Sequence, residues 1–234
     1  MEKLGIIGCG TMGHSIALAA AWAGLSVKLY GLDIAETERA QIAISDKLST
    51  LSSNGLLGTD SIEHVERRIN MTHSIDEIAA ISSFIIEAIP ENIYIKRDLF
   101  TYLDKECGPN VILATNTSGL SPSSIAAGTS NPERTVATHF WNPAHLVPLV
   151  EVIRGERTND ETVKRSFEML RYMKKKPIEV KKEVPGFVGN RLQFALFREA
   201  QFLLEQGIAS KEDIDAAVTY GIGRRLPVTG PLMS

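Results

Sequence analysis

Two side chains set the chemical question. His139 lies in the apolar run Thr135–Phe140, and Glu151 lies in the next, Leu149–Ile153. A Pro-rich turn containing Pro143 and Pro148 separates the two runs. Such a turn can bring the carboxylate to the imidazole. A carboxylate on one ring nitrogen orients a histidine and raises its basicity, as a general base near pH 7 requires. An isolated histidine is more often a buried ring satisfied by a neighbour, and that plainer reading stands for His14, His64, His73 and His145. His145 is close to His139, but two histidines without a cysteine or a further ligand make no metal site, so none is expected.

A second group of residues suits a nucleotide. Gly8-Cys9-Gly10-Thr11-Met12-Gly13 has the spacing G-x-G-x-x-G, after a predicted strand (Leu4–Ile7) and at the start of a predicted helix (Met12–Ala23). In that context Gly8 permits a tight turn, Gly10 lets backbone approach a pyrophosphate, and Gly13 lets helix and strand pack closely. Thr11 and Met12 then sit at a helix N-terminus facing phosphate charge. The pattern also wants an acid about 20 residues on, to bind ribose. Asp33 falls there, while Gly31 stands at the expected strand end. No Arg follows directly, Arg39 being the nearest, which favours NAD over NADP with Asp33 as the ribose acceptor. A helix N-cap is an equally good reading of Asp33.

Two further segments carry small polar side chains. Ala114-Thr115-Asn116-Thr117-Ser118-Gly119-Leu120 ends a predicted strand, where parallel sheets bind ligands. It suits a nicotinamide ribose and a substrate oxygen, or simply ordinary turn chemistry with Ser121 capping a helix. Val184-Pro185-Gly186 breaks the pattern, and Asn190 follows on the first turn of a long helix, placed to face a cleft. The basic stretch from Arg171 to Lys182 reads as a solvated face.

The elements that must position these groups alternate. Short apolar runs at 4–7, 27–30, 69–72, 84–88 and 111–115 alternate with helical runs at 12–23, 34–53 and 93–106. That rhythm predicts an α/β fold with a Rossmann-like, mostly parallel sheet. Strands at 135–140, 149–153 and 178–180 and a helix at 161–174 complete a domain over 1–183. An all-helical C-terminal domain is expected over 184–234, with helices at 187–205 and 211–220 closed by Gly207 and Gly221. Ser210 and Asp213 have the spacing of a capping box. The second domain is thin, so it is expected to be incomplete or to pack on another subunit.

Composition narrows the classes. The chain has 234 residues, 44% hydrophobic and 23% charged, with a net charge of −3, which excludes a mainly disordered chain. That charge leaves no footprint for nucleic acid or an anionic membrane. Two distant cysteines, Cys9 and Cys107, suit a reducing compartment. The N-terminus does not read as a signal peptide, and no apolar stretch is long enough to span a bilayer. A cytoplasmic protein is expected.

The Gly-rich turn, Asn116-Thr117-Ser118, His139-Phe140-Trp141-Asn142-Pro143, Leu149-Val150-Glu151-Val152 and Pro185-Gly186-Phe187-Val188-Gly189-Asn190-Arg191 occur in that order. Together they resemble the 3-hydroxyacyl-CoA dehydrogenase family, from Lys3 to about Leu232. The resemblance implies NAD as cofactor and a homodimer formed through the helical region. It implies His139 as general acid/base, Glu151 as its electrostatic partner, and Ser118 and Asn190 on the reacting oxygen. By the same matching Glu91, Lys96 and Asn116 line the cofactor or substrate cleft. The substrate implied is an acyl-CoA such as 3-hydroxybutyryl-CoA. Pro148 before Leu-Val-Glu and the Arg224/Arg225 to Gly230-Pro231 stretch look more like relatives that oxidise free hydroxy acids, of the gulonate or carnitine type. A catalytically silent nucleotide-binding module is the third alternative.

Overall fold

The structure, a computed structural model, describes residues 2–232. It divides into two compact units, one ending at Phe187 and the other beginning at Val188.

In the first unit the chain runs β1 (Leu4–Ile7), α1 (Thr11–Trp22), β2 (Val27–Tyr30), α2 (Ile34–Ser53), α3 (Ile62–Glu66), β3 (Ile69–Thr72), α4 (Ile75–Ile81) and β4 (Phe84–Glu87). It continues through α5 (Ile93–Glu106), β5 (Ile112–Thr115), α6 (Pro122–Ile125), β6 (Thr135–Phe140), β7 (Leu149–Arg154), α7 (Asp160–Tyr172) and β8 (Lys176–Val180). These strands form one eight-stranded sheet in the order β3-β2-β1-β4-β5-β6-β7-β8. Only the β6–β7 pairing is antiparallel.

Alternation along the central strands explains the layers. Leu4, Ile6, Phe84, Ile86, Ile112 and Ala114 point into one core with α1, α2 and α7. Ile7, Ile85 and Leu113 point into a second core with Ile78 of α4 and Leu99, Phe100 and Leu103 of α5. Successive side chains of a strand face opposite ways, so a sheet apolar at every position must be covered on both faces. No helix among the described residues is long and apolar enough to cross a membrane.

Three short helices, α3, α4 and α6, fall where the sequence rhythm shows no element. Each starts on a serine, Ser61, Ser74 or Ser121, whose side chain accepts from the N–H of the third helical residue. At four to seven residues each they are too short for a hydrophobic period to register, and the cap is the main local signal.

The second unit holds α8 (Gly189–Glu205), α9 (Lys211–Ala216) and α10 (Gly223–Thr229). Gly207, at φ 64°, ends α8 as expected. Gly221 does not end a helix. It lies within a wider helical turn, Ala217–Ile222, that joins α9 to α10. Gly221 is absent from the positive-φ residues, so it makes no left-handed stop, and a helical glycine costs only about 1 kcal/mol relative to alanine. Ser210 caps α9 by accepting from the Asp213 N–H at 3.1 Å, while its own hydroxyl donates to the Asp213 carboxylate at 2.7 Å.

Candidate active site

The antiparallel register of β6 and β7 pairs His139 directly with Glu151. Paired residues of an antiparallel ladder project to the same face, so the pairing itself brings the two side chains together. His139 Nδ1 lies 2.8 Å from Glu151 Oε2, with the ring 6% exposed and the carboxylate 0%. A carboxylate accepts only, so the neutral imidazole carries its proton on Nδ1 and leaves Nε2 as the basic nitrogen. Among the described residues no hydrogen bond engages Nε2. Trp141 Nε1 donates to the same carboxylate oxygen at 3.3 Å. The Trp141 and Phe187 rings pack against the imidazole at 5.8 and 5.5 Å. Phe187 is buried and sits at φ 49° after Gly186 at φ 76°. The Val-Pro-Gly break is therefore what turns this ring onto His139, a role its sequence neighbours do not announce.

The turn after β5 is tied to the same strand end. Asn116 Oδ1 accepts from Phe140 N at 2.9 Å. Thr117 Oγ1, Ser118 N and Gly119 N donate to Glu91 Oε1 at 2.5, 3.0 and 3.2 Å. Burial opposes ionisation at Glu91, but the Thr117 hydroxyl, the Lys96 ammonium and the Ser118 N–H outweigh it and hold its carboxyl below the ordinary range. Ser118 itself is exposed on the turn. Lys96 reaches Glu87 Oε1 at 2.5 Å, Glu91 Oε2 at 3.4 Å and the Ile89 carbonyl at 3.3 Å. Its three protons are thereby matched to three acceptors, and its side chain is 1% exposed. Glu87, which the sequence reading does not single out, also accepts from Thr115 Oγ1 at 2.6 Å and Ile89 N at 2.8 Å. Burial pushes its carboxyl above the ordinary value, with Lys96, Thr115 and Ile89 acting against that push.

The Gly-rich turn has the form a dinucleotide needs. Gly8 sits at φ 100°, and a Cβ there would stand 2.7 Å from the Ala88 carbonyl oxygen. A Cβ on Gly13 would collide with the Gly8 carbonyl, so helix and strand pack through this pair. A Cβ on Gly10 would meet nothing within 4 Å, which leaves open space on that side of the turn. Helix α1 opens at Thr11 with no side-chain cap and no acid in its first turn. Its first N–H groups and dipole are thus left to an anion, and Thr11 and Met12 stand at that end. These features fit a bound dinucleotide.

Asp33 caps α2, its Oδ1 accepting from Glu36 N at 2.7 Å. Asn190 lies on the first turn of α8, in the second unit. His14 bonds the Cys9 carbonyl through Nδ1 and Lys47 Nζ through Nε2, at 3.2 and 2.9 Å. Lys47 and His145 line one side of a cavity of about 450 Å³ with Thr50, Asn54 and Leu56.

Comparison with known proteins adds a family. The description "3-hydroxyacyl-CoA dehydrogenase, NAD binding domain" matches residues 3–184, and its "C-terminal domain" matches residues 186–233. The chain is 37% identical to 5-formyl-3-hydroxy-2-methylpyridine 4-carboxylate 5-dehydrogenase of Mesorhizobium japonicum, covering 99% of this chain and 74% of that one. It is 33% identical to L-carnitine dehydrogenase of Oceanobacillus iheyensis, covering 100% and 75%. The crystal structure of (S)-3-hydroxybutyryl-CoA dehydrogenase from Ralstonia eutropha superposes with a TM-score of 0.89 at 35% identity, covering 95% and 78%.

Proposed function

The chain belongs to the 3-hydroxyacyl-CoA dehydrogenase family and carries its NAD-binding domain, and from that premise we propose that it oxidises the 3-hydroxyl of a 3-hydroxyacyl-CoA to the ketone. NAD, when bound, supplies the hydride acceptor. His139 takes the hydroxyl proton at Nε2. Glu151 holds Nδ1–H at 2.8 Å and balances the charge of the imidazolium that forms. In the reverse direction the imidazolium returns the proton to the developing alkoxide. Ser118 is given to the reacting oxygen, the role that the family resemblance also gives Asn190, and the amide of Asn116 is left to the nicotinamide ribose. Trp141 and Phe187 wall the ring from solvent. The buried His139–Glu151 pair, with one nitrogen left open, is the observation that carries this reading.

A second reading, oxidation of a free hydroxy acid, has its own support. Helix α2 carries only Arg39 and Lys47 as cations. A single ammonium suits a carboxylate as well as a nucleotide phosphate. We assign the homodimer to the second unit, because Leu192, Phe194, Phe197, Phe202 and Leu204 of α8 are all exposed. Exposed apolar side chains of that kind are what a second copy would cover.

The deciding assay follows NADH oxidation with acetoacetyl-CoA beside dehydrocarnitine and 3-dehydrogulonate. Turnover with acetoacetyl-CoA is expected. Turnover only with a free oxo acid replaces the first reading by the second.

A further inference from the structure

The end of β2 lacks the acid that usually binds the adenosine ribose of NAD, because Gly31 stands there. The place cannot simply be refilled. A Cβ on Gly31 would lie 2.5 Å from Thr37 Cγ2 and 2.7 Å from Cys9 Sγ. The backbone is fixed as well, with Gly31 N donating to the Thr72 carbonyl at 3.1 Å and the Gly31 carbonyl bonded by His73 Nδ1 at 3.0 Å. A carboxylate nevertheless occupies the spot. Glu36, half-buried on the first turn of α2, bends back so that Oε2 lies 3.4 Å from that Cβ position. The same oxygen accepts from Leu32 N at 2.7 Å. Burial, with the Glu36 carboxylate nearby, pushes the Cys9 thiol of the Gly-rich turn up to about 11. Asp33 is the N-cap of α2, its Oδ1 accepting from Glu36 N at 2.7 Å, and it is not among the atoms nearest that Cβ position.

We propose that Glu36 binds the adenosine ribose hydroxyls and sets the preference for NAD over NADP, in place of the strand acid. This rests on the NAD-binding reading and deepens it. The carboxylate reaches the strand end from the following helix, held by the Leu32 N–H. Its second oxygen is left for a ribose hydroxyl. A 2′-phosphate would meet a fixed negative charge at that point, and like-charge contacts of this kind cost enough to decide between partners. Arg39, one turn of sequence further along α2 and exposed, is the cation such a phosphate would find once the acid is neutralised.

The plain alternative is that Glu36 only steadies the start of α2. Glu36→Gln separates the two roles. The amide oxygen still accepts from Leu32 N, so a structural role survives, while the charge is lost. Binding of NADH and NADPH is followed by nucleotide fluorescence, beside a thermal melt, for the unmodified protein, Glu36→Gln and Asp33→Asn. Saturable NADH binding by the unmodified protein tests the cofactor reading by itself, and its absence overturns both readings. Given binding, Glu36→Gln should leave the melt unchanged and raise NADPH affinity relative to NADH by about tenfold or more. Adding Arg39→Ala to Glu36→Gln should take back most of that gain. An unchanged NADH/NADPH ratio in Glu36→Gln, or a shift that appears only in Asp33→Asn, overturns the assignment.

Discussion

Two buried carboxylates stand near the strand ends of the sheet, and they are finished differently. Glu87, at the end of β4, meets Lys96, the Thr115 hydroxyl and the Ile89 N–H, and Lys96 has an acceptor for each of its protons. Glu151, inside β7, meets His139 and Trp141, and His139 keeps one nitrogen outside that arrangement. The first cluster is closed, so it can hold the β4 and β5 turns but has no proton to offer. The second is open at one atom. A buried ion pair tells little about function until its valences are counted, because bracing and proton transfer both require burial and a partner.

The contrast breaks most sharply at His139. His139→Ala should lower turnover by about 10²–10⁴-fold while the NADH dissociation constant stays close to that of the unmodified protein. Stopped-flow turnover and a fluorescence titration check this. Equal loss of cofactor binding would move the residue out of the chemistry and into the nucleotide site.

The closed cluster should answer in the other quantity. Lys96→Met leaves Glu87 buried without its cation, which should cost about 3–5 kcal/mol in urea unfolding at pH 7. Part of that should return in the double variant Lys96→Met/Glu87→Leu, which removes the stranded charge. If Lys96→Met instead spares stability and depresses turnover, the cluster belongs to the site.

The same contrast explains what the sequence makes legible. The layers are readable because uninterrupted apolar runs, such as residues 84–86 and 112–114, sit between helical runs. The spatial closeness of His139 and Glu151 is readable because a turn between two strands is a local event, and the cross-strand register then fixes the pair. Glu87 is hard to see, since its partners come from the turn after β4, from α5 and from β5, and no spacing links them. Phe187 depends on two consecutive residues at positive φ, which Gly186 permits but does not compel. Asp33 and Glu36 illustrate a different difficulty. They are three residues apart on one turn, and only the direction of each side chain tells which carboxylate faces Gly31.

A smaller effect sharpens the comparison within one residue type. His145 follows His139 by six positions, on the far side of the turn, and has no carboxylate among the groups that shift it. Burial, with Lys47, Lys175 and His14 nearby, pushes it down to about 4. It therefore stays neutral in the folded chain, while the unfolded chain takes up a proton near the ordinary value of 6.5. Between those two values the unfolded state binds more protons, so stability must fall as pH falls from 6.5 towards 4 and is unaffected by this group above 6.5. His145→Gln cannot take up that proton, so its unfolding free energy should decline less steeply over the same window. Urea melts at pH 7, 5.5 and 4.5 read the difference between the two slopes, which cancels the carboxylates common to both proteins. Parallel slopes would mean that His145 is protonated in the folded state, and the cations around it would then have to be far better screened by solvent than their burial implies.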